Sequence, residues 1–412
     1  MKKITKLTAM LMAAAMLISA AGCGNKTEKG TGAESQSTAG AQGGLKDIKV
    51  GFIFLHDENS TYDKNFMDAA TAAKEKLGLS DDQVMFKTNI PETAECYEAA
   101  ANLADAGCDL VFADSFGHED FMIQAAKEFK DVTFAHATGT KAHTEKLPNF
   151  YNAFASIYEG RYLAGVAAGL KLNEMIEKGD ITAEKAKMGY VGAYPYAEVK
   201  SGYTSFYLGA RSVCPSVTMD VKFTNSWFDI AAEKETANAL IAGGCVLISQ
   251  HADSEGAPKA CEEAGVPDVS YNLDTRQWGP NTALVSSKIN WEPYFEHIIT
   301  SVAEGKQIEQ DFCKGLADDV VQVFGLNDKV AAAGTQEKLD EVKVKIVSGE
   351  IKVFDTKTFT VKGAELTEYK ADVDSDANFT PDTEVVSDGY FHESEKRSAP
   401  YFDLDIDGIT IK

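Results

Sequence analysis

From residue 47 onward, short apolar runs alternate with longer amphipathic stretches. The runs 48–55, 84–88, 110–113 and 132–135 read as strands, and 63–77, 92–106 and 119–129 read as the helices between them. Within 92–106, Ala99, Leu103 and Ala106 recur at spacings of three and four, which places them on one buried helix face. Gly78 and Gly107 stand where two of these helices should stop. Strands separated by helices of this length predict right-handed βαβ crossovers and a mostly parallel sheet.

A second set of alternating elements begins near Ile157. Helices are expected at 156–172, 202–213, 230–241 and 257–264, with strands at 187–192, 217–223, 246–249, 269–272 and 283–288. Gly165, Ala168 and Gly169 form a small-residue face that permits close helix packing. Two such blocks in tandem predict an α/β fold of two doubly wound, Rossmann-like lobes. A helix at 291–304 and a β-rich tail over 344–412 return to the lobes and add hinge crossings. The expected partition is 47–155 plus about 287–318 for the first lobe, and 156–286 plus about 319–412 for the second.

The amino terminus changes the picture. Lys2, Lys3 and Lys6 precede an apolar stretch from Leu7 to Ala21, and residues 20–24 read Ala-Ala-Gly-Cys-Gly. That stretch is too short to span a bilayer and suits a secretory signal. Residues 1–22 are therefore read as a signal peptide and Cys23 as the lipidated residue of a mature lipoprotein, although Ala20 stands where a lipobox usually has Leu. Residues 23–46, rich in Gly, Ser, Thr, Ala and Gln, read as a flexible tether. The expected location is the extracytoplasmic face of the cell membrane, held there by lipid.

Charge narrows the partners. The 40 basic and 63 acidic side chains give a formal charge of −23, which disfavours nucleic acid. Apart from Cys23, the cysteines are Cys96, Cys108, Cys214, Cys245, Cys261 and Cys313. None forms a Cys-x-x-Cys pair, and they read as buried free thiols.

In open parallel sheets, ligands bind beyond the carboxyl ends of the strands. The first block ends its strands in His56-Asp57-Glu58-Asn59-Ser60-Thr61-Tyr62-Asp63, Asp114-Ser115-Phe116-Gly117-His118 and His136-Ala137-Thr138-Gly139. The second ends in Tyr194-Pro195-Tyr196, Asn225-Ser226-Trp227-Phe228-Asp229, His251-Ala252-Asp253-Ser254, Asn272-Leu273-Asp274 and Ser286-Ser287-Lys288. Aromatic faces can sandwich a flat ring while carboxylates and amides read its edge, so an interlobe cleft built this way suits a small planar solute. Phe116, Thr138 and Tyr196 are candidate contacts on this ground; Phe116 and Phe228 are equally suited to lobe-interface packing, and Asp63 and Asp229 to helix capping.

Several of these runs carry a resemblance. Asp63-Lys64-Asn65-Phe66, Phe134 to Gly139, Tyr158 to Gly165, Trp227-Phe228-Asp229, Gln250 to Ser254 and Leu284 to Lys288 are together similar to the basic membrane protein family of ABC-transporter solute-binding lipoproteins. The likeness covers roughly 48–306 and implies a type I periplasmic-binding-protein-like fold whose lobes close on a purine nucleoside or nucleobase. It implies that Phe66 and Trp227 stack on the base, that Asp57 or Asn59, Asp253 and Asp274 hydrogen-bond to it, and that Lys288 lies near a ribose or an acidic partner. His136-Ala137-Thr138 resembles the base-binding branch and Lys288 the nucleoside-binding branch. The implied partners are a small-molecule solute, ABC permease and ATPase subunits, and a membrane reached through lipid; a monomer with no cofactor is expected.

The rival readings are different in kind. No Gly-x-Ser-x-Gly elbow, Walker loop, Gly-x-Gly-x-x-Gly or His-Glu-x-x-His is present, so a nucleoside hydrolase has no motif behind it, and the chain is not read as an enzyme. His56, His118, His136, His143 and His251 suggest metal capture, but they lack short ligand spacing. A sensory receptor would share the fold.

Overall fold

The structure is a computed structural model and describes residues 44–374, 376 and 378–412. The expected signal, Cys23 and most of the tether lie outside the described residues. Gly44–Lys46, read as the end of the tether, instead form a 3-10 turn, and Gln83 donates to the Leu45 carbonyl at 2.9 Å.

The first block runs β1 (Val50–Ile53), α1 (Thr61–Leu77), β2 (Val84–Lys87), α2 (Ala94–Asp105), β3 (Leu110–Ala113), α3 (Glu119–Glu128), β4 (Thr133–Ala137), α4 (Ala142–Glu145) and β5 (Phe150–Ala155). The second runs α5 (Ile157–Lys178), β6 (Lys187–Gly192), α6 (Ala197–Val213), β7 (Thr218–Phe223), α7 (Ile230–Ala242), β8 (Leu247–His251), α8 (Gly256–Ala264), β9 (Asp268–Tyr271) and β10 (Ala283–Ile289). Then come α9 (Glu292–Glu304), β11 (Asp311–Lys314), β12 (Val321–Phe324) and α10 (Thr335–Val347).

Two sheets result. The first has the order β2-β1-β3-β4-β5-β11 and is parallel throughout. The second has the order β7-β6-β8-β9-β10-β12, with strand Ile409–Ile411 beside β7; only β12 runs antiparallel. Helices cover both faces, which is why β1 and β3 are buried at every position and read as unbroken apolar runs. The α/β fold of two doubly wound lobes is as expected.

Local chemistry sets the helix ends. Ser60 opens α1 by accepting from the Asp63 amide, and Gly78 closes it in the left-handed region at φ 68°. Asp229 opens α7 by accepting from the amides of Ala231 and Ala232 at 3.0 and 2.9 Å. Asp229→Ala is therefore expected to lower stability by about 1 kcal/mol, read by denaturant unfolding. The small-residue face of α5 works as anticipated: a Cβ on Gly165 would lie 2.0 Å from the Phe206 carbonyl oxygen of α6.

Three strands escaped the sequence pattern. β5 follows a crossover whose helix is a single turn, Ala142–Glu145, so the alternation of strand and long helix breaks there. β11 and β12 are four residues each and carry mixed burial. The chain crosses between sheets at β5 to α5, β10 to α9 and β11 to β12. Residues 287–289, expected with the first lobe, complete β10 in the second sheet. The tail, expected with the second lobe, touches both: the Thr144 hydroxyl donates to the Asp374 carbonyl at 2.6 Å, and the Ser398 amide donates to Asp311 at 2.9 Å.

Candidate functional site

The strand order places β1 beside β3 and β6 beside β8, with connections leaving in opposite directions in each sheet. A crevice opens at each of these switch points, and here the two crevices face each other. Between them lies a nearly closed cleft with about 20 Å³ of free space, lined by Leu55, His56, Tyr62, Asp63, Ser115, Phe116 and Thr138 of the first block and by Glu198, Trp227, His251 and Asp253 of the second.

The lobes touch across it. The Thr61 amide donates to the Asp253 carbonyl at 2.8 Å, and the Asp253 amide donates to the Trp227 carbonyl at 2.9 Å. Phe116 lies 5.4 Å from Tyr196 and His56 lies 5.3 Å from Phe228, ring centre to ring centre. Tyr196 stacks on Tyr194 at 5.1 Å, and Trp227 meets both tyrosines at 5.1 and 6.0 Å. Phe116 and Tyr196 keep 42% and 43% of their surface exposed, so these rings rim the cleft rather than fill a core.

The acids at the cleft are held differently. Burial pushes Asp63 up, but hydrogen bonds from the His56 amide, the His56 ring and the Ser60 hydroxyl outweigh it and hold the carboxyl below its ordinary value. Burial pushes Asp253 well above the usual carboxylate range, with the charges of Glu233, Asp63 and Glu198 adding to it. No protein group hydrogen-bonds to the Asp253 side chain among the described residues, although it is only 5% exposed. Thr138 sits at φ +65°, a left-handed conformation costly for a β-branched residue and of the kind that gathers at binding sites.

Two buried histidines support the first-lobe loops. His136 Nε2 donates to the Ser115 carbonyl at 2.6 Å and His118 Nε2 donates to the Ile90 carbonyl at 2.9 Å. Burial takes each down to about 4. A histidine depressed in the fold lets the unfolded chain bind more protons, so stability should fall as pH drops below about 6.5 towards about 4, by on the order of 3 kcal/mol per residue. Melting temperatures across that range check this, and the slope should flatten in a His118→Gln, His136→Gln variant.

Five expected site residues stand elsewhere. Phe66 is fully buried in the first-lobe core, stacked on Trp291 at 4.5 Å beneath Tyr62, and cannot pair with Trp227 across a ligand. Asp57 and Asn59 bond to each other in a surface turn, at 3.0 and 2.8 Å. Asp274 caps a short turn and binds the Arg276 guanidinium at 2.9 Å. Lys288 places its ammonium 5.2 Å from the Phe324 ring of β12 and does not line the cleft. Phe116, Thr138, Trp227 and Asp253 line the cleft, and Tyr196 borders it. Tyr62 and Glu198 were missed because each lies in the first turn of a helix, where polar residues ordinarily serve the helix end. Among the described residues no cluster of metal-ligating side chains is present.

Comparison with known proteins follows the same geometry. The family model for PnrA-like ABC transporter substrate-binding proteins (Bmp) matches residues 52–357. The chain belongs to this family. It is 33% identical over 320 residues to a purine-binding protein of Brucella abortus (strain 2308), covering 76% of this chain and 85% of the relative. It is also 30% identical over 328 residues to a putative ABC transporter glucose-binding protein of Haloferax volcanii, covering 77% of this chain and 76% of that one. Among solved structures, an ABC transporter solute-binding protein of Aeropyrum pernix K1 matches with a TM-score of 0.63 at 18% identity, over 74% of this chain and 93% of that one. PnrA-like proteins are solute-binding receptors of ABC transporters that work outside the cytoplasm. No helix among the described residues is long and apolar enough to cross a membrane.

Proposed function

We propose that this PnrA-like receptor captures a purine nucleoside or nucleobase between its lobes and delivers it to the permease and ATPase subunits of an ABC importer. The observation that carries the reading is the cleft itself. Trp227, Phe116 and Tyr196 supply flat faces, and Asp253 offers a carboxyl that no protein group engages. A heterocycle with N–H groups on its edge satisfies both at once. The purine-binding relative from Brucella abortus supports the same ligand class. Closure follows because neither lobe alone presents both a ring-stacking face and the full set of polar groups.

A thermal-shift screen tests this. Purine bases or nucleosides should raise the melting temperature, while glucose should not. Stabilisation by glucose alone would move the protein to the reading suggested by the Haloferax volcanii relative. The signal-like start and Cys23 support attachment of the mature chain as a monomeric lipoprotein, and mass spectrometry of the membrane-extracted amino terminus should find diacylglycerol on Cys23.

A further inference from the structure

Glu198, in the first turn of α6, lines the cleft and is held by one side-chain partner. His251 Nε2 donates to its carboxyl at 3.4 Å, and the two side chains are 11% and 4% exposed. The imidazole is fixed in turn. Tyr271 packs on it at 4.8 Å, and its Nδ1 lies against Gly202, where a Cβ would come within 2.9 Å. Glu198 is thus held facing the ligand space without a cation as partner.

The charges around it are one-sided. Asp63 comes from the first lobe, Asp253 and Glu198 from the second, and Glu233 stands behind Asp253. Tyr271 is a buried phenol near Glu198, and the half-buried Tyr62 donates its hydroxyl to the Asp114 carbonyl at 2.9 Å. The His56 ring lies within 3.4 Å of the Asp63 carboxyl. Burial lowers His251, which keeps it neutral. Among the described residues no lysine or arginine lines the cleft. Arg161 lies under its floor, fully buried and donating to the Tyr190 and Ser249 hydroxyls and the Gln250 carbonyl at 2.6, 3.2 and 3.0 Å. Lys288 lies against the Phe324 ring of β12.

We propose that the cleft selects its ligand by charge, with Glu198 as a specificity-determining residue: neutral or protonated heterocycles rich in N–H groups are held, and acidic ones are refused. The inference rests on the purine reading and adds a rule to it. An anionic ring would be desolvated beside the Glu198 carboxyl, which has no lysine or arginine partner among the described residues, a repulsive element of the kind that sharpens specificity.

The test uses probe pairs that differ in acidity, adenine with xanthine and adenosine with xanthosine. Affinities are measured by calorimetry at about pH 5.5, where the xanthine ring is largely neutral, and at about pH 8.5, where it is largely an anion. Taking the ratio within a pair cancels protein titration that affects both members alike, and comparison with Glu198→Gln isolates the part due to Glu198. The preference for the adenine member should grow by about tenfold between the two pH values, and in Glu198→Gln that growth should shrink at least about threefold. A flat ratio in the wild type, or an equal rise in Glu198→Gln with a normal melting curve, overturns the proposal. If no member of either pair binds, the purine reading fails and the inference fails with it.

Discussion

Trp227→Ala is expected to weaken purine binding by about 2–3 kcal/mol, roughly 30- to 150-fold, with little change in melting temperature. The indole is half-buried and lines the cleft, and its only ring partners are Tyr194 and Tyr196 on the same rim. Removing it takes away a stacking face and the apolar contact that Trp227 makes at the edges of two core clusters, without emptying a fully buried site. It also leaves the Trp227 carbonyl in place, so the backbone bond that positions Asp253 survives. Calorimetry reads the result directly, and an affinity equal to wild type would remove Trp227 from the ligand's surroundings.

Phe66→Ala is expected to do the opposite. Its ring stacks on Trp291 at 4.5 Å and packs against Tyr62 and Phe112 at 4.9 and 5.7 Å, with no exposed surface. Truncation leaves a cavity where α1 meets the start of α9, at a cost of about 3–5 kcal/mol in unfolding free energy. Ligand affinity at a temperature where the variant is folded should stay within about threefold of wild type, because Tyr62 stands between Phe66 and the cleft. A large loss of affinity in a well-folded variant would restore Phe66 to the site.

The contrast between these two residues shows what the sequence can reveal. Strand-end position was legible, because the apolar runs of β1, β3, β6 and β8 are buried on both faces and end abruptly. That was enough to bring Phe116, Thr138, Trp227 and Asp253 to one cleft. Phe66 lies one helical turn beyond Tyr62, and a turn of helix decides which aromatic faces the core and which the ligand. Resemblance of a motif does not fix that rotation. Glu198 and His251 illustrate the other gap: they meet only because α6 carries Gly202 where the imidazole passes, a contact across 53 residues that no local pattern shows. Lys288 was misplaced for a related reason, since β12, too short to stand out, pairs antiparallel with β10 and brings Phe324 beneath its ammonium.

The strand Ile409–Ile411 has a bearing on how the molecule assembles. It lies against Met219–Val221, so two neighbours in one sheet are separated by about 190 positions of chain. Loop-closure entropy makes so distant a pairing late and slow. Until it forms, the outer backbone of β7 stays unpaired, open to water or to another chain. A polypeptide that must be threaded through a membrane before it folds gains from this delay, since its second lobe is not fully sealed until synthesis has passed the last turn of the tail.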